Sequence, residues 1–146
     1  MTNADTPGKT TKQPLALRVR PKTLDHLRTR AADRGLPVST LAERLIEEGL
    51  RTDEHPLVYF REGAAGRRPA LVGTRLDVWQ VIETVKVEAS AEDAATYLGI
   101  GVHKVRACIA YYGGFRDEID AWAEAEKDFA VREEAAWRRA HEAFAS

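Results

Sequence analysis

A chain of 146 residues is long enough for one domain or two small ones, and its patterning favours two. The single cysteine, Cys108, excludes an intrachain disulfide and fits a reducing compartment. No apolar run is long enough to span a bilayer and no signal-peptide pattern opens the chain, so a cytoplasmic protein is expected.

The formal net charge of -1 is a cancellation. Lys9, Lys12, Arg18, Arg20 and Lys22 face only Asp5 in residues 1–24, a balance of +4, whereas residues 116–146 hold five basic against nine acidic side chains, a balance of -4. A basic amino end attracts a phosphate backbone; an acidic carboxyl end avoids one and suits a basic protein partner.

Residues 1–13 are polar, with no apolar stripe, and read as a basic arm that is disordered until it meets DNA. Then Leu15-Ala16-Leu17-Arg18-Val19-Arg20 alternates with a period of two, placing Leu15, Leu17 and Val19 on one face of a strand and Ala16, Arg18 and Arg20 on the other. So short a strand cannot satisfy its own backbone, and no second alternating segment lies close enough for a hairpin. Its expected partner is the same strand of a second chain. Such a two-stranded antiparallel ribbon fits the major groove of B-DNA, where arginine reaches guanine O6 and N7. The same residues also suit an ordinary edge strand with solubilising arginines, and the following residues decide between the two.

Pro21 suits a first helical turn, Leu24, Leu27 and Ala31 recur at helical spacing, and Gly35 is a natural stop. Gly35-Leu36-Pro37 makes a turn, and Leu41, Ala42, Leu45, Ile46 and Gly49 form the apolar stripe of a second helix through about Arg51. Strand, helix, turn and helix over residues 14–51 resemble the ribbon-helix-helix family of DNA-binding proteins. The resemblance implies an intertwined homodimer that reads a pseudo-palindromic operator in double-stranded DNA through Ala16, Arg18 and Arg20. It also implies a phosphate grip at the start of the second helix, on Val38, Ser39 and Thr40, where backbone N–H groups and the helix dipole favour an anion. Lys12 is a further phosphate candidate and Gln13 a supplementary contact. Ala16 departs from a good base reader, since it offers at most contact with a thymine methyl.

Residues 52–56 read as a linker. In residues 57–115, Leu57-Val58-Tyr59-Phe60 and Ala70-Leu71-Val72 read as a hairpin around a loop from Gly63 to Arg68. Asp77 can cap a helix carrying Val78, Val81, Ile82 and Val85, and Ser90-Ala91-Glu92-Asp93 resembles a capping box. That box opens a short helix that turns at Gly99 and Gly101 into another with Val102, Val105, Ile109 and Tyr112, which is helix-turn-helix spacing. Cys108, between Ala107 and Ile109, is a core thiol rather than a nucleophile. The phrase from Gly66 to Leu76, followed by this helical pair, looks like family 433 of the domains of unknown function, over roughly residues 55–123. Members of that family commonly resemble the antitoxin half of bacterial toxin-antitoxin pairs, which implies a PIN-like nuclease toxin as partner. His103, Lys104 and Arg106 lie on the second helix of the pair and are the candidates for a second DNA contact. Residues 25–115 hold twelve basic and thirteen acidic side chains, however, so no strong electrostatic footprint marks them.

Residues 116–146 read as one long, acidic, alanine-rich helix. Ile119 and Trp122 suit the core of the preceding domain. Phe129, Trp137 and Phe144 are harder to bury and are the candidate partner-binding residues; Glu126 and Glu133 interrupt the stripe and argue against a uniform zipper.

An enzyme is not expected. His26, His55, His103 and His141 lack metal-ligand spacing, and Gly63-Ala64-Ala65-Gly66 lacks the Lys-Ser or Lys-Thr of a P-loop. No catalytic residue, metal or cofactor is assigned. The expected architecture is mainly α: a ribbon-helix-helix dimer domain, a small β-hairpin plus helix-turn-helix domain, and a long carboxyl-terminal helix. The expected function is a sequence-specific DNA-binding antitoxin that represses its own operon, with the homodimer assembling into higher oligomers on DNA and no membrane association. The alternatives are a free-standing transcription regulator and a DNA-organising or partition protein acting at repeated sites.

Overall fold

Pro21 opens the first helix because its fixed φ suits the first turn and its missing N–H is not needed there. The structure, a computed structural model, describes residues 11–146. Helix α1 spans Pro21–Asp33, with Arg20 as its extended N-cap. It ends in a Schellman arrangement: Leu36 N–H donates to Ala31 O at 2.9 Å, Gly35 N–H donates to Ala32 O at 3.1 Å, and Gly35 adopts φ +62°. Helix α2 follows as Val38–Glu54. Residues 1–10, which hold most of the expected basic arm, lie outside the described residues.

The expected strand over residues 15–20 is not formed within one chain: residues 11–20 are neither helix nor strand. The physical reason is the one that the sequence already states, since a strand needs a neighbour and the hairpin elsewhere in the chain pairs with itself. The linker expected at residues 52–56 is corrected as well. Helix α2 continues through Glu54, because nothing between Arg51 and Glu54 breaks a helix and Pro56 restricts only the residue before it. The chain divides into two compact units, residues 1–43 and 44–146, and the division falls inside α2 rather than after it.

Among the described residues the first unit buries only Ala31 and Leu41 completely. In the second, strands β1 (Val58–Gly63) and β2 (Gly66–Leu71) pair antiparallel from Val58↔Leu71 to Gly63↔Gly66. The expected loop from Gly63 to Arg68 is thus a two-residue turn at Ala64 and Ala65, with Gly66 at φ +119°. Arg67 and Arg68, which read as loop, are strand residues, paired across the ladder with Glu62 and Arg61.

Four helices follow: α3 (Val78–Glu88), α4 (Ala91–Leu98), α5 (Val102–Gly114) and α6 (Arg116–Ala145). Asp77 N–H donates to Gln80 Oε1 at 2.8 Å at the start of α3, and Ser90 Oγ accepts from Asp93 N–H at 3.0 Å at the start of α4. Gly99, in the left-handed region at φ +68°, closes α4 with a second Schellman arrangement, Ile100 N–H donating to Ala95 O at 3.1 Å. Val58 and Leu71 of the hairpin pack with Val78, Val81, Val105, Cys108 and Tyr111 in one core, to which the first turns of α6 add Ile119. Each fully buried aliphatic side chain contributes about 1.5–3 kcal/mol, so the second unit holds most of the stability. The chain is therefore mainly helical with one antiparallel hairpin and a long carboxyl-terminal helix.

Candidate nucleic-acid interface and partner arm

Residues 14–20 are neither helix nor strand and all are exposed. Leu15, Leu17 and Val19 are exposed, Leu17 at 60%, although their alternation is that of a core-facing edge. On the other side of the same alternation stand Ala16, Arg18 and Arg20, all exposed; among the described residues neither arginine has a carboxylate partner. Lys12, expected on phosphate, instead lies 3.0 Å from Glu43. Helix α2 begins with Val38, Ser39 and Thr40, all exposed and with no acidic side chain in that turn. Further along α2, Leu45, Ile46 and Leu50 are also exposed, so the expected stripe of this helix is only partly covered.

The second unit pairs most of its charge internally. Asp77, 2% exposed, receives Arg61 Nε on Oδ1 at 2.8 Å and Trp79 Nε1 on Oδ2 at 3.2 Å, and Arg68 Nε stands 3.0 Å from the same Oδ2. A buried carboxylate survives only with such partners, and here two guanidinium groups supply the compensation. Sequence reading assigned Asp77 a cap and missed this role, because the arginines arrive from β1 and β2.

A second cluster ties the end of α2 to α5 and α6. Arg51 lies 4.2 Å above the Phe115 ring, donates to the Tyr111 hydroxyl at 3.0 Å and pairs with Glu118 at 2.5 Å. Burial is the largest single influence and opposes the Arg51 charge, but the hydrogen bonds to Glu118 and Tyr111, together with the charges of both groups, outweigh it and hold the guanidinium above its ordinary value. Burial, reinforced by the Glu118 carboxylate, pushes the Tyr111 hydroxyl upward. Arg67 pairs with Glu48, again joining hairpin to α2. The sequence carried no signal of these pairs beyond the presence of the charges.

The helix pair α4 and α5 places His103 and Lys104 in the first turn of α5. Lys104 Nζ comes within 3.2 Å of where a Cβ on Gly73 would sit, so its ammonium lies against the Gly73 backbone in the β2–α3 loop. Arg106, the third candidate, is engaged by Glu92 at 2.9 Å. His103 folds over Gly101. Cys108 is fully buried, and burial pushes its thiol up to about 12.

Helix α6 is anchored only at its beginning. Ile119 and Ala123 are buried, Trp122 lies over the hairpin turn 3.7 Å from the Gly66 Cβ position, Glu126 pairs with Arg68 and Lys127 with Glu83. Beyond Lys127, among the described residues, the hydrogen bonds, ion pairs and ring contacts of α6 are all within the helix, among them Arg138 with Glu134 and the stacked Trp137 and His141. The three candidate partner residues are exposed there, Trp137 at 64% and Phe144 at 93%.

Among the described residues no group of three or more His, Cys, Asp or Glu side chains is placed to hold a metal ion, and no helix is long and apolar enough to cross a membrane. No family model, curated protein or solved structure matches the chain.

Proposed function

We propose that the protein is a homodimeric, sequence-specific DNA-binding repressor of its own operon whose carboxyl-terminal helix holds a protein partner, a nuclease toxin being the partner that the resemblance to family 433 implies. One observation carries the reading. Leu15, Leu17 and Val19 are exposed beside the carboxylate-free Arg18 and Arg20, in a segment without a strand partner and ahead of a two-helix unit that buries little more than Ala31 and Leu41. A second copy would supply the missing strand, cover the apolar edge and leave the arginines outward for the major groove. The exposed first turn of α2 then grips phosphate with its free N–H groups.

The exposed aromatic residues of α6 favour the partner half of the reading. About 18 residues of helix beyond Lys127 extend roughly 27 Å without tertiary support, and a helix of that length is marginal in water alone. Phe129, Trp137 and Phe144 fit the anchor pattern by which an amphipathic helix enters a groove.

The test is binding of the purified chain to its own upstream DNA over a salt series, comparing wild type with Arg18→Ala. The expected result is salt-sensitive, sequence-selective binding weakened by about 1–3 kcal/mol in the variant, with folding intact. A folded dimer indifferent to this DNA overturns autoregulation. Co-expression with the neighbouring gene checks the partner half, and absence of any stoichiometric complex counts against the antitoxin role.

A further inference from the structure

The Lys and Arg side chains of residues 57–115 are unevenly compensated. Arg61 and Arg68 are held by Asp77, Arg67 by Glu48 and Glu62, Lys86 by Glu83 and Asp120, and Arg106 by Glu92. Arg75 and Lys104 are the exceptions; among the described residues neither has a carboxylate within ion-pair distance. The two belong to one place in the fold. Arg75 is exposed two residues after Gly73, and the Lys104 ammonium lies over that same Gly73. The loop between them is locked: Thr74 Oγ1 donates to Leu71 O at 2.8 Å and accepts from Leu76 N–H at 3.0 Å, while Gly73 adopts φ +75°. His103 stands exposed one residue before Lys104, and the first turn of α5 carries no acidic side chain.

We infer that the Gly73–Arg75 loop and the first turn of α5 form a second contact for the backbone phosphates of duplex DNA, with Arg75 and Lys104 as its cations. The inference rests on the DNA-binding reading above and changes the residues expected from sequence, where Arg106 was grouped with His103 and Lys104. Arg106 is already neutralised by Glu92, whereas Arg75 had no assigned role. A fixed loop with one uncompensated cation of its own, Arg75, and a second, Lys104, reaching over it from α5 binds phosphate without regard to base sequence. The contact therefore adds affinity and salt dependence, while the amino-terminal segment supplies selectivity.

The experiment uses the full chain and two duplexes, its own upstream region and a mixed-sequence DNA of equal length, with affinity followed by fluorescence anisotropy over a salt series. Each lost phosphate contact lowers the slope of log affinity against log salt by about 0.9. Arg75→Gln with Lys104→Gln should lower it by about two per protomer on both duplexes and keep the preference for the upstream region; Arg106→Gln should leave the slope in place. Arg75→Gln alone, at an exposed side chain, gives the same test with a fall of about one where the double variant folds poorly. Slopes and affinities equal to wild type in these variants, alongside a clear loss in Arg18→Ala, overturn this contact and leave the first reading standing. No DNA binding by wild type at any salt overturns both.

Discussion

Asp77 concentrates more consequence than any other single side chain of the second unit. Asp77→Asn keeps the shape but leaves Arg61 and Arg68, both less than one third exposed, without their shared anion. A broken buried pair costs about 3–5 kcal/mol; some water reaches the guanidinium groups, which places this case near 3 kcal/mol. Urea unfolding of wild type and variant reads that difference. Cys108 carries a prediction of a different kind. A thiol held at about 12 is unreactive at pH 8, so iodoacetamide should label the folded chain slowly and the urea-unfolded chain readily. The linkage has a definite sign: a folded-state value above the unfolded one means stability that is present below the ordinary thiol range and declines as pH rises through it towards about 12. Of these two residues, Cys108 was readable in the sequence from its apolar neighbours. Asp77 was readable only as a cap, since the charges that it gathers lie on strands that the chain must first fold to bring near.

At the scale of elements, local signals located the helices well. Pro21, Gly35, Ser90 and Gly99 each mark a boundary through a specific backbone need, and those needs are met within a few residues. The hairpin stands where the sequence put it, but its strands were read too short: Arg67 and Arg68 look like loop composition, yet they pair across the ladder with Glu62 and Arg61. The end of α2 was misjudged because Thr52-Asp53-Glu54 is polar without being helix-breaking. Leu15–Arg20 is a separate case: its alternation reads as a strand, yet the segment is neither helix nor strand and Leu15, Leu17 and Val19 stay exposed, the surface that the proposed dimer would cover. Leu17→Asp tests that surface directly. It should convert a dimer to a monomer in sedimentation equilibrium, because two symmetry-related carboxylates would enter one apolar edge. A variant that stays dimeric removes the intermolecular ribbon.

Across the whole molecule, stability and accessible function are segregated along the chain. The core of residues 57–123 carries most of the buried apolar side chains, while residues 11–20 and α6 beyond Lys127 bury none of their large apolar side chains among the described residues. Removal of residues 128–146 should therefore leave the cooperative unfolding free energy within about 0.5 kcal/mol of wild type, the range of surface changes that touch no buried feature. The same deletion should abolish binding to any protein that uses Phe129, Trp137 and Phe144. Chemical denaturation and co-purification with the neighbouring gene product check the two halves separately.

The unsupported end of α6 also means that this protein has no single melting temperature. Helical turns without tertiary contacts uncoil gradually, on a gentler curve than a packed core. On heating, far-ultraviolet circular dichroism should begin to decline well before the near-ultraviolet signal of the core aromatics changes, and the gap between the two curves should narrow when the arm is deleted or covered by a partner. The gap between those curves is thus a calorimeter-free measure of whether anything is bound to the arm.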